Sequence, residues 1–168
     1  MIDGSRDARL KKLAADLGLE VGEEIRALPH YEMAIEHGGH LFVSGQIPRI
    51  RGAVAVVGRV GAEVSLEEGR RAARICVVRA LVVARQSLRS LHRVAAVLRM
   101  NVYVQSAPHF TEHSEVANAA SEILDALFAP EGGHTRTTVG VYQLPQNAAV
   151  EIDLQLALHE GEPGPSTF

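Results

Sequence analysis

Between residues 29 and 158 only two stretches carry helical periodicity, and the rest reads as strands and loops. The first opens at Ser65-Leu-Glu-Glu68, a capping box, and runs to about Leu91. Residues 72, 75, 76, 80, 83 and 84 share its apolar face. The second spans about Ser114 to Phe128, with Val116, Ala120, Ile123, Leu124 and Leu127 as its stripe, and Glu131-Gly-Gly133 ends it. Two helices can cover one face of a single mixed sheet, so the other face must meet water or another subunit.

The strands are read from alternation. YEMAIEHGGHLFVSGQIP is a hairpin turning at Gly38-Gly39, and residues 49 to 61 form a Gly- and Val-rich loop with a short strand. The next strand, about Val94 to Gln105, places Ala96, Leu98, Met100, Val102 and Val104 on one side. Two strands, about 136 to 144 and 149 to 158, finish the fold as a second hairpin across Leu-Pro-Gln-Asn. Alternation then puts Val139, Val141, Val150, Ile152 and Leu154 on the helix side. Arg136, Thr138, Gly140, Glu151 and Asp153 fall on the helix-free face. With Leu144 near Asn147 in register, Glu151 would stand opposite Gly140. The N-terminus supplies a short amphipathic helix over residues 5 to 17, part of an extension over 1–28, and the tail over 161–168 reads as disordered.

Size and composition bound the rest. A chain of 168 residues with 46% hydrophobic content is one domain, 1–168, with a proper core. Charged content of 22% and a net charge of −3 are those of an ordinary globular chain. No apolar run reaches membrane-spanning length, and the charged N-terminus does not read as a secretory signal. A single cysteine, Cys76, forbids an internal disulfide and fits a reducing, cytoplasmic compartment. The negative charge, absence of Trp and 4% aromatic content argue against a nucleic-acid surface.

After Arg99, Arg136 is the only Lys or Arg in the chain. One reading is an ion pair with Glu151 or Asp153 of a neighbouring subunit; the other is an anchor for an external carboxylate. His109 and His113 are four apart but flank Phe-Thr-Glu in a loop without a third ligand, so no metal site is expected. Ser44 lacks a base-and-acid pattern, which argues against nucleophilic hydrolysis.

Four blocks in order, Tyr31, VSGQIP at 43 to 48, NVYVQSAPHF at 101 to 110 and TRTTVGVYQLPQNAAVEIDLQLAL at 135 to 158, resemble the Rid (YjgF-like) proteins, also labelled L-PSP endoribonuclease-like. The resemblance implies an α+β, chorismate-mutase-like fold: a single mixed β-sheet with two helices packed on one face. It implies a homotrimer with sites in clefts between subunits. It also implies a hydrolase activity without cofactor or metal, in which 2-imino or enamine acids give 2-oxo acids and ammonia (imine deamination). Carried over by position, Arg136 grips the substrate carboxylate and Glu151 holds the attacking water. Tyr31, Gly45, Asn118 and Thr138 line the pocket. Thr138 departs from the cysteine frequent there, His30 from a common glycine, and the 106 to 115 loop is longer. These departures keep a second expectation open, a non-catalytic protein that binds a small carboxylate in the same pocket.

Overall fold

The computed structural model describes residues 5–20, 22, 24–27, 29–130 and 132–159; the tail over 161–168 lies outside them. Helix α1 (Arg6–Asp16) is followed by strands β1 (Ala34–His37), β2 (His40–Gln46), β3 (Arg49–Ile50) and β4 (Ala53–Val54). Then come α2 (Leu66–Leu88), β5 (Val94–Gln105), α3 (His113–Phe128), β6 (Thr135–Val141) and β7 (Val150–Leu158). The main sheet has the order β1-β2-β7-β5-β6, and β3 and β4 form a separate small hairpin.

Helix α2 starts where the sequence says it must. The Ser65 hydroxyl accepts from the Glu68 amide at 3.2 Å, and the Glu68 carboxylate accepts from the Ser65 amide at 2.8 Å. Such a box is worth ~1 kcal/mol. The helix ends at Leu88 because Arg89 turns left-handed, with φ of 67°. Its buried face includes Ala72, Ile75, Cys76, Ala80, Val83 and Ala84, and it packs with α3 against the sheet. The helix layer holds three helices among the described residues. Leu10 and Ala14 of α1 are fully buried, and α1 packs on α2 and α3. Asp7 fastens α1 by accepting from the Ser90 hydroxyl at 2.7 Å and the Leu91 amide at 3.0 Å.

Two strand expectations need correction. Leu98 is exposed while Val97 is buried, because the β5–β7 register shifts between Val97 and Arg99. That bulge inserts one residue and flips the alternation upstream of Arg99. The last two strands are not a hairpin. β6 runs parallel to β5, as a strand returning through the α3 crossover does, and β7 pairs antiparallel with β5 on its other side. β5 therefore separates β6 from β7. The connection is held by buried Gln105 at the end of β5, whose Oε1 accepts from the Leu144 amide at 2.8 Å. Its Nε2 donates to Asn147 Oδ1 at 2.5 Å. No helix among the described residues is long and apolar enough to cross a membrane.

Candidate active site

Ladder partners share a face of the sheet, so the register assigns each side chain. Glu151 lies across from Tyr103, while Val150 and Ile152 are buried on the helix side. Glu151 is thus on the helix-free face, half-buried. It ends a row of polar side chains. Arg99 donates to the Thr137 hydroxyl at 2.6 Å and to Asn101 Oδ1 at 3.1 Å, and Asn101 Nδ2 donates to Asp153 at 2.8 Å. Burial, and then the Asp153 carboxylate, push the Glu151 carboxyl above its ordinary range. Burial and Asp153 likewise raise the Tyr103 hydroxyl.

The space for the Glu151 carboxylate comes from β2. Val43 pairs with Leu154 and Gln46 with Ile152, so Ser44 and Gly45 together oppose one residue of β7. At this bulge a Cβ on Gly45 would overlap the Glu151 carboxylate and lie 2.9 Å from its Cδ. Only glycine lets the carboxylate lie against the β2 backbone. Buried Gln46 holds the bulge by donating Nε2 to the Ser44 carbonyl at 3.0 Å and the Gly45 carbonyl at 3.2 Å. Ser44 ties the preceding loop with its hydroxyl to the Glu32 carbonyl at 2.6 Å and its amide to the Met33 carbonyl at 2.9 Å. That loop presents Tyr31, 50% exposed, at an open depression it shares with His30, Ile35 and Ser44.

Arg136 belongs to the other face. It pairs with fully buried Met100, and Thr138 pairs with Val102, so both point to the helix side. Because β6 is an edge strand, the side chain runs out along α3. Its Nη1 donates to Asn118 Oδ1 and to the Ser121 hydroxyl, both at 2.9 Å. Asn118 and Ser121 are three apart, one face of a helix. The Ser121 hydroxyl also meets His134 Nε2 at 3.0 Å, and burial lowers the His134 imidazole. The Thr138 hydroxyl is buried without a hydrogen-bond partner among the described residues. Beyond it, His113 Nε2 bonds the Ser106 hydroxyl at 3.0 Å over Gly140, where a Cβ would come within 2.6 Å of the imidazole. His113 starts α3, and among the described residues no group of three or more His, Cys, Asp or Glu side chains is placed to hold a metal ion.

The six residues therefore fall into two groups. Tyr31, Gly45 and Glu151 gather around the β2 bulge; Asn118, Thr138 and Arg136 line the groove between β6 and α3. The expectation that Arg136 and Glu151 share the helix-free face is overturned. With β5 between β6 and β7, the two strands are roughly 10 Å apart at the usual inter-strand spacing. Because β6 takes its register from β5, with Arg136 opposite Met100, Arg136 falls on the face opposite to the one the hairpin reading gave it. Ser121, His134 and Gln46 were not singled out from the sequence. Ser121 could have been, standing one helical turn from Asn118; His134 and Gln46 give no sequence signal of their contacts.

Residues 10–157 match the family described as "YjgF/chorismate_mutase-like, putative endoribonuclease". The chain belongs to the YjgF family. It is 38% identical over 144 residues to Protein TCP17 of Trypanosoma cruzi, covering 85% of this chain and 90% of that protein. The structure of Atu1372, a protein of unknown function from Agrobacterium tumefaciens, superposes with a TM-score of 0.81 at 32% identity, covering 94% of this chain and 97% of that one. A "putative endoribonuclease" from Shewanella oneidensis MR-1 gives 0.83 at 26% identity, covering 92% and 100%. In this YjgF chain the matched span contains both groups of candidate residues.

Proposed function

We propose that the chain hydrolyses 2-imino or enamine acids to 2-oxo acids and ammonia, at clefts where the Arg136 group of one copy meets the Glu151 group of another. The observation that carries this is the division of the candidate residues between two faces. Each half is built and neither is complete. Arg136 has one nitrogen fixed by Asn118 and Ser121, and its Nε and Nη2 have no partner among the described residues. That open edge suits bidentate capture of a carboxylate, with the unpartnered Thr138 hydroxyl beside it. Glu151, raised toward neutrality by burial, accepts a proton from water as the oxygen adds to the imine carbon. The same carboxyl returns the proton to nitrogen, then takes the remaining hydroxyl proton as the C–N bond breaks, so that the carbonyl forms and ammonia leaves. No side-chain nucleophile is needed.

The uncovered sheet face supports assembly. Ile35 and Phe42 are ladder partners on it, 56% and 43% exposed, and Val139 is 41% exposed. A closed ring of three copies would bury these side chains and bring unlike surfaces together, as a heterologous interface does. Glu151 and Asp153 on that face would repel a phosphate backbone, so the endoribonuclease name carried by relatives is not adopted. A second reading has its own support: the Arg136 half could hold a carboxylate without Glu151, making the protein a binder. Imine hydrolysis, with an amino acid oxidase generating the substrate in situ, separates the two. Ammonia release that falls to background in Arg136→Ala and Glu151→Gln supports the enzyme; wild-type rates no higher than these variants would leave only binding.

A further inference from the structure

Past Arg136 and Thr138, the helix-side row of β6 ends at Gly140, which pairs with buried Val104. No side chain projects from β6 there, and the place is taken by two that come from outside the strand. The Ser106 hydroxyl and His113 Nε2 are bonded at 3.0 Å, and a Cβ on Gly140 would come within 2.9 Å and 2.6 Å of them. Ser106 directly follows β5 and His113 opens α3, so the loop between them folds back to bring the two together. That loop is pinned along its length. The Ala107 amide donates to the Val60 carbonyl at 2.9 Å, and the Phe110 amide to the Ala107 carbonyl at 3.0 Å. The Phe110 ring packs on Gly61, where a Cβ would lie 2.9 Å from it, and meets the His113 ring edge-on with 5.1 Å between centroids. Gly61 and Gly140, neither with room for a methyl, thus hold one imidazole at the end of the Arg136 groove.

The pair keeps a hydrogen to give outward however its shared bond is arranged. If Ser106 donates to Nε2, the imidazole hydrogen sits on Nδ1, which has no partner among the described residues. If Nε2 donates, the Ser106 hydroxyl hydrogen is the free one, and an imidazolium leaves both free. The distance to Arg136 is that of a small molecule. Asn118, which fixes the guanidinium, lies five residues along α3 from His113, roughly 7.5 Å at the usual helical rise. Along β6, Gly140 and Arg136 are four residues apart, about 13 Å between their Cα atoms, with Thr138 midway on the same face.

We propose that the Ser106–His113 pair is the second contact of the Arg136 groove, and that its ligands are dicarboxylic acids, one carboxylate on the guanidinium and the other accepting from the pair. The substrates are then imino acids whose side chain ends in a carboxylate. This second contact rests on carboxylate capture by Arg136. A carboxylate accepts a hydrogen bond more strongly than a neutral carbonyl, and a donor left unpaired disfavours a chain that ends in a methyl. The test is calorimetric titration of the full chain with adipate, its monoamide and hexanoate, acids of equal chain length. Adipate should bind at least tenfold more tightly than hexanoate, with the monoamide between them. Ser106→Ala and His113→Gln should each bring adipate toward hexanoate while hexanoate keeps its own affinity, a sign that the groove is still folded. His109→Gln, which removes an exposed imidazole from the same loop, should change neither. Arg136→Ala should abolish binding of all three. Equal binding of hexanoate and adipate, with Arg136 still required, would overturn the second contact and leave carboxylate capture standing. An adipate preference that survives both Ser106→Ala and His113→Gln would do the same. No saturable binding of any of the three, or binding indifferent to Arg136→Ala, would overturn both.

Discussion

The two groups of candidate residues are positioned by different means. Around Glu151 the backbone decides: a bulge in β2, a glycine without a Cβ and buried Gln46 create the space, and the carboxylate occupies it. Around Arg136 side chains decide: Asn118, Ser121 and His134 steady a guanidinium on an edge strand. The Glu151 half should therefore be brittle to any added atom. The Arg136 half should lose function by degrees.

The largest effect is expected at Glu151 itself. Glu151→Gln should lower imine turnover by about 10²–10⁴-fold, the usual span for a lost general base, with carboxylate binding retained. Its stability should move the other way. A carboxyl whose folded pKa is raised costs stability once pH exceeds that pKa, so the variant should melt higher than wild type at pH 7. As pH falls below the ordinary carboxylate value the advantage should vanish, which melting curves from pH 7 to 4 would show. Equal melting across the range would mean Glu151 is solvated.

Next comes Gly45→Ala. The added Cβ displaces the carboxylate, and a shift near 1 Å can cost on the order of 10²-fold, read as a fall in kcat. Full activity in this variant would break the claim that the backbone sets the Glu151 half. Ser121→Ala should be milder. One hydrogen bond to a charged group is worth roughly 1.5–3 kcal/mol at most, so KM should rise about tenfold with kcat nearly kept. A fall in kcat instead would mean that Arg136 acts in the chemical step.

The smallest effect concerns His134. Its folded pKa is lowered, so the stability it contributes is present above 6.5 and is lost as pH falls through the folded value. His134→Gln should flatten this acid-side loss, measured as melting temperature between pH 7 and 5. An unchanged slope would assign the loss to other groups.

Much of the fold was legible because its signals are local. The capping box at Ser65, the two apolar stripes and the bounds of β5 all follow from residues near in sequence. What escaped depends on pairings the chain does not announce. Leu-Pro-Gln-Asn reads as a hairpin turn, yet Gln105, 39 residues from Leu144, holds that connection across the end of β5. The β5 bulge changed which of Val97 and Leu98 is buried, and the true β6 register moved Arg136 to the other face. The six candidate positions came from the resemblance; their division into two groups came only from the register.

That division is tested most directly by mixing two inactive variants. Arg136→Ala and Glu151→Gln chains, unfolded together and reassembled, should regain imine hydrolysis. Random pairing leaves about a quarter of clefts with both residues intact, and hence about a quarter of the wild-type rate. Rates that stay at those of the separate variants, in a sample shown by mass to have mixed, would contradict a site shared between copies.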